Sequence, residues 1–196
     1  MSASTWPPDA SGVAGRGPAR EVPAAVLVPL FERSGEPYVV LTLRRADLRR
    51  HAGEIAFPGG RRDAEDRTLT DTALREAHEE IGLDPAAVTL IGELPSVSTF
   101  ATGYVISPVL GAIGERTEWR PAEAEVAAVL ELPLATIRAG LGPVEIERRG
   151  MRFRTDAFTV DGQIIWGATA RILGYLFERI DEDGPLDLSV GPAAAS

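Results

Sequence analysis

Glu76, Glu79 and Glu80 crowd three carboxylates into one short stretch, with Arg75 directly in front of them. At helical spacing the three acids fall on one face, and like charges at i,i+4, as in Glu76 and Glu80, destabilise a helix. Arg75 lies four residues before Glu79 and relieves only part of that repulsion. A hard divalent cation would relieve the rest. Mg²⁺ takes oxygen ligands, keeps several waters and is commonly shared between carboxylates and the phosphates of a substrate. The competing reading is a solvated acidic face, and three acids alone do not exclude it. The Arg75-Glu76 pair, the adjacent Gly59 and Gly60 and a run of upstream arginines favour the cation.

The element that must carry these acids is a helix over about 70–81. Ala73, Leu74, Ala77 and Ile81 repeat there as one apolar stripe. Thr70 or Asp71 can cap its start, and Gly82-Leu83-Asp84-Pro85 is a stop signal. Ahead of the helix, residues 54–57 predict a short strand and Pro58-Gly59-Gly60 a turn that lets the backbone pass close to the acids. Residues 24–31 and 38–44 read as paired strands joined by the turn-like Ser34-Gly35-Glu36-Pro37. From Arg44 to Arg62 there are six arginines (44, 45, 49, 50, 61 and 62) against Asp47 and Glu54, a local excess of positive charge beside the acids. Arginine forks phosphate with two parallel donors, so this strip suits a substrate with several phosphates. The same arginines also suit a solubilising surface or a contact to an acidic partner.

Gly60, Asp66, Arg75, Glu76, Ala77, Glu79, Glu80, Gly82 and Leu83 together resemble the Nudix box: a glycine, five residues, an acid, a spacer, then R-E-apolar-x-E-E-x-G-apolar. Asp66 stands where that family usually has glutamate, and the spacer 67–74 is one residue longer than usual. Upstream, Val40-Leu41-Thr42-Leu43-Arg44-Arg45-Ala46 leads through Arg49 and Gly53 to Phe57-Pro58-Gly59-Gly60. This resembles the signature of the coenzyme A pyrophosphatase branch, LLTxRSA followed by R-x-x-x-G-x-x-x-FPGG, with Arg45 in place of the serine. Ile165-Trp166-Gly167-Ala168-Thr169-Ala170 resembles that branch's IWGxTA segment, so the likeness extends over most of 24–180.

The resemblance implies an α/β fold, an α/β/α sandwich around a mixed central sheet. It implies hydrolysis of the diphosphate linkage of coenzyme A or its thioesters, giving 3′,5′-ADP and (acyl-)4′-phosphopantetheine. Glu76, Glu79 and Glu80 would hold Mg²⁺ or Mn²⁺, with Arg75 orienting them. The general base would be Glu80 or an acid of the loop 115–125, of which Glu125 is preferred. Arg44, Arg45, Arg49, Gly53, Phe57, Gly59 and Gly60 would line the substrate. Two alternatives stay open. One is a Nudix diphosphatase acting on ADP-ribose, NADH or another nucleotide; the other is a non-catalytic binding module, against which the retention of all three acids speaks.

The chain of 196 residues suits one domain with a sizeable core, and its 44% hydrophobic and 25% charged content is that of an ordinary globule. A net charge of −9 argues against non-specific nucleic-acid binding and against an anionic membrane surface. The expected partner is a small molecule, with a homodimer as an allowed assembly. No cysteine is present, which removes disulfides and thiolate chemistry and fits a cytoplasmic location. Every basic side chain other than the two histidines is arginine, which removes Schiff-base chemistry. His51 and His78 are too few for a histidine metal site, and Ser96, Ser98 and Thr99 lack the partners of a nucleophilic triad.

Residues 1–22 read as a disordered leader and 182–196 as a flexible tail around one domain, 23–181. Further strands are predicted over 88–94, 104–113 and 125–130, with a short helix over 132–139. A hairpin joins 151–160 to 163–166 around Asp161-Gly162. A last helix runs over about 168–180, with Trp166 and Phe158 expected in the core and Gly167 and Ala168 packing closely at the helix start.

Overall fold

β1 (Val22–Arg33) is buried along nearly its whole length, the pattern of a strand covered on both faces. In the computed structural model, which describes residues 21–48, 53–99, 103–115, 118–148 and 150–188, this strand is the middle of the molecule. β2 (Glu36–Arg44) returns beside it, antiparallel, after the two-residue turn Ser34-Gly35. Both turn residues have positive φ, 54° and 81°, which matches the twist of a tight hairpin. β3 (Ile55–Ala56) pairs with β2, and β4 (Gly59–Arg61) crosses back to pair with β1.

The predicted Pro58-Gly59-Gly60 turn is therefore corrected in part: Gly59 and Gly60 begin a strand. A Cβ on Gly59 would collide with the Ala25 carbonyl and Val26, so bare backbone is what allows β4 to lie against β1. α1 (Leu69–Ile81) follows. Its cap is Thr68 rather than Thr70 or Asp71. The Thr68 hydroxyl accepts from the Asp71 N–H at 3.0 Å while the Asp71 carboxylate accepts from the Thr68 N–H at 2.9 Å, a reciprocal capping box. Gly82 closes the helix in the left-handed region, φ 68°, as the stop signal predicts.

A 3-10 turn over Pro85–Ala87 leads into β5 (Val88–Glu93), β6 (Val97–Ser98) and β7 (Tyr104–Ile113). β7 runs parallel to β1 and antiparallel to β5, which makes the sheet mixed. β8 (Val126–Pro133) pairs with β2, completing eight strands, and α2 (Leu134–Ala139) follows it directly.

β9 (Leu141–Arg148), β10 (Met151–Val160) and β11 (Gln163–Ile165) form a separate three-stranded antiparallel sheet. β9 is absent from the sequence reading, because Gly142 and Pro143 near its start break the strand pattern. As an outer strand it tolerates Pro143, whose missing N–H costs no central ladder bond. The Asp161-Gly162 hairpin is present as expected, with φ of 50° and 78°.

α3 (Gly167–Asp183) is the last helix of the described chain, and Leu188 beyond it is buried in the same core. Its Ile172, Leu173, Leu176 and Phe177 pack with Val28, Leu30, Leu41 and Phe158 on one side of the central sheet. On the other side Ala73, Ala77 and Ile81 of α1 pack against Ala25, Leu27, Phe31 and Val40. Alternate residues of β1 and β2 thus feed two cores, which is the layered α/β/α arrangement. Phe158 is core as expected, whereas Trp166 is only half-buried and Gly167 serves by its φ of 65° rather than by close packing. No helix among the described residues is long and apolar enough to cross a membrane.

Because α1 is both a core element and the carrier of the acids, its capping box bears on both. Thr68→Ala is expected to cost about 1 kcal/mol in urea unfolding. Thr68→Asp, which keeps an acceptor at the cap, should restore most of that loss.

Candidate active site

The apolar stripe of α1 faces β1, and that fixes where its acids go. Glu80 sits next to the stripe and is driven inward, to 6% exposure, while Glu79 stays exposed and Glu76 lies between these extremes. The Glu76 carboxylate rests against Gly60 of β4, where a Cβ would strike it. Gly60 therefore acts as a cradle for a carboxylate, a stricter demand than a turn.

Two guanidiniums divide the acids between them. Arg75 Nη1 donates to Glu76 Oε1 at 3.0 Å and to Glu79 Oε2 at 3.1 Å. The rest of that guanidinium is locked from behind. Its Nε and Nη2 donate to the two oxygens of Asp66, both at 3.0 Å, and Nη2 also donates to the Arg61 carbonyl at 3.1 Å. Asp66 is nearly buried and also accepts from the Thr72 hydroxyl and the Asp63 N–H, each at 2.9 Å. The aspartate at this position thus anchors Arg75, and the helix cap belongs to Thr68.

Arg44, the last residue of β2, makes the second fork. Its Nη1 donates to Glu80 Oε1 at 3.2 Å and its Nη2 to Glu125 Oε2 at 3.1 Å. The other oxygen of Glu80 accepts from the Gly59 N–H at 3.3 Å. Burial pushes the Glu80 carboxyl up to about 7, against the pull of Arg44 and the Gly59 amide. Burial likewise raises the Glu76 carboxyl, with Arg75 opposing it.

Glu125 arrives by backbone bonds that no sequence pattern announces. The Ala122 N–H donates to the Glu80 carbonyl at 2.8 Å and the Arg120 N–H to the Ile81 carbonyl at 3.2 Å, so the segment before β8 satisfies the end of α1. A turn back onto the Ala122 carbonyl and a bond from the Arg45 N–H to the Glu125 carbonyl at 3.0 Å then set the side chain beside Arg44.

The remaining sequence-predicted residues fall elsewhere. Arg45 forks Asp47 and donates to the Glu123 carbonyl at 2.8 Å, beside an open hollow that Ala46, Pro121, Val126 and Ala127 also line. Phe57 is buried in the core, and Gly53 closes the loop behind β2 with a φ of 69°. Arg62 donates to the Asp66 and Arg67 carbonyls. Arg49, Arg50 and His51 lie outside the described residues. The His78 ring meets the Leu83 carbonyl, at 3.2 Å. Much of the arginine strip is thus engaged within the chain.

The donors suit a hard divalent cation. Glu76 and Glu80 offer half-buried or buried carboxylate oxygens whose ionised form burial disfavours, so a cation would supply the missing stabilisation. Among the described residues the acids are not gathered as a group of three that could hold a metal; Arg75 lies on Glu76 and Glu79, and Arg44 on Glu80 and Glu125.

Arg75 holds the Asp66 carboxyl well below the usual carboxylate range. A depressed folded value stabilises the protein above the unfolded value of about 4 and is lost as pH falls below it. Asp66→Asn is expected to cost about 3 kcal/mol at neutral pH. In acid urea titrations it should also flatten the loss of stability below about pH 4 that the unmodified chain shows.

A model of the NUDIX domain matches residues 21–143. The chain is 42% identical over 161 residues to the uncharacterized Nudix hydrolase NudL of Pectobacterium atrosepticum, covering 81% of this chain and 83% of the relative. Its identity to NudL of Salmonella newport is 44% over 159 residues, covering 80% and 82%. Among solved structures, RenU, a Nudix hydrolase from M. smegmatis, superposes with a TM-score of 0.59 at 19% identity, covering 85% of this chain and 89% of that one. A MutT/nudix family protein from Enterococcus faecalis gives 0.58 at 17% identity, covering 83% and 63%. Those structural likenesses carry the fold alone, and the matched domain and the relatives carry the family: this chain belongs to the NUDIX family and is a Nudix hydrolase.

Proposed function

We propose that the chain hydrolyses the diphosphate linkage of coenzyme A or its thioesters, in the cytoplasm, to 3′,5′-ADP and (acyl-)4′-phosphopantetheine. The observation that carries this reading is the meeting of the two sequence segments that resemble the coenzyme A branch. The buried Thr169 hydroxyl, in the IWGATA segment, donates to the Ile55 carbonyl at 3.1 Å, just ahead of Phe57-Pro58-Gly59-Gly60. Ile165 and Ala170 share a core with Ile55 and Phe57. Residues 114 apart in sequence thereby support the same strand, which turns into the glycine cradle of the acids.

Nudix hydrolases use divalent metals, and here Glu76, Glu79 and Glu80 would hold Mg²⁺ or Mn²⁺. When bound, the ion supplies charge neutralisation on the diphosphate and a water of lowered pKa. Asp66 and Arg75 fix Glu76 and Glu79, and the Gly59 amide and Arg44 fix Glu80. Glu125, with a half-exposed carboxylate, is the proton acceptor. As it takes a proton from water, the oxygen bonds to phosphorus and the bridging P–O bond breaks. Its electron pair leaves on the departing phosphate. Arg45 and Arg49 are assigned to the substrate's phosphates.

Purified protein with Mg²⁺ or Mn²⁺ should cleave coenzyme A with a kcat/KM at least about tenfold above that for ADP-ribose, NADH or a nucleoside triphosphate, read by chromatography of the products. A preference for one of the latter would move the substrate assignment to that nucleotide. Glu79→Gln and Glu80→Gln should each lower turnover by about a hundredfold or more, and near-normal turnover in both would remove the metal assignment. Glu125→Gln should lower kcat by roughly 10²–10⁴ with KM little changed.

A further inference from the structure

The two arginines that divide the acids are held very differently. Arg75 is bound on its far side by Asp66, Arg61 and the surrounding loop, and only Nη1 faces the glutamates. Arg44 has no such anchor. Both of its Nη groups are spent on Glu80 and Glu125, and its buried Nε has no hydrogen-bond partner among the described residues. An arginine with one orphaned donor loses less on leaving than one satisfied on every side.

Glu80 is the acid that most needs a positive neighbour, being buried between the helix stripe and β4. Arg44 Nη1 and the Gly59 N–H occupy its two oxygens. A cation arriving at Glu80 meets that guanidinium at the same carboxylate, and two positive charges on one buried carboxylate repel.

From this asymmetry we propose that Arg44 is an exchangeable internal counter-ion: it neutralises Glu80 in the metal-free chain, is displaced from it when the divalent cation binds, and its freed guanidinium then forks a phosphate of the substrate. The inference rests on the metal-dependent reading above and adds an order to it, cation before diphosphate. It also accounts for an arginine that the sequence places at the substrate while the structure places it on two carboxylates. Arg44 is a positioning residue in the first state and a phosphate ligand in the second.

The test is Mn²⁺ affinity of the full chain without substrate, from the free-ion electron paramagnetic resonance signal at one fixed pH and ionic strength. Arg44→Met, which keeps the stem and loses the charge, is expected to bind Mn²⁺ about tenfold more tightly. Arg44→Lys should fall back toward the unmodified chain. Arg67→Met, which removes an exposed charge from the loop before α1, should change affinity by less than about twofold, which separates competition from the general field.

A merely structural role for Arg44 would weaken Mn²⁺ binding on its removal. Unchanged or weaker binding by Arg44→Met, with the unmodified chain still binding, overturns the counter-ion inference alone. No Mn²⁺ uptake by the unmodified chain overturns the metal-dependent reading itself. A crystal of the unmodified chain grown with Mg²⁺ decides independently of any variant's folding. Arg44 parted from Glu80 supports the exchange, and Mg²⁺ on Glu80 with that contact intact overturns it.

Discussion

Compensation of buried negative charge is the constraint on which this structure depends. The core of the sheet pulls α1 inward by Ala73, Ala77 and Ile81, and Glu80 must follow because it lies one position from that stripe. A carboxylate so placed needs positive partners or a proton. The chain supplies Glu80 with the Arg44 guanidinium and the Gly59 amide, gives Arg75 to Glu76 and Glu79, and each of these fixes something further. Arg75 reaches back to Asp66, Arg44 reaches across to Glu125, and Gly59 can offer its amide because β4 is bare enough to lie against β1.

The acids, their helix and its end were readable in sequence because they depend on local periodicity and on glycine stop chemistry. The roles of their partners were not. Asp66, Thr72 and Asp63 assemble a socket for Arg75 through contacts in a loop with no repeating pattern. Arg44 reads as one more member of a basic strip until β2 and α1 are set side by side, when it proves to face acids. Charge counted along the chain missed this, because pairing is settled in three dimensions.

The same limit explains the strands. β1, β2 and β7 are long and rich in branched apolar residues, and periodicity finds them. β4 and β9 carry the residues that usually break strands, Gly59 and Gly60 in one and Gly142 and Pro143 in the other. In β4 the missing side chains are the reason the strand exists, since close approach to β1 and to Glu76 leaves no volume for them. Segments that read as breaks here serve as contact surfaces.

The segment 120–122 gives its amides to the last carbonyls of α1, and Arg120 packs where any side chain on Gly82 would have to go. The acid-bearing helix and the stretch leading to Glu125 are consequently riveted together. Fraying at the helix end would swing Glu125 out of alignment without altering a single atom of it. Mechanical tolerance at this joint, which is made of backbone hydrogen bonds, therefore sets how finely the two ends of the candidate site stay in register.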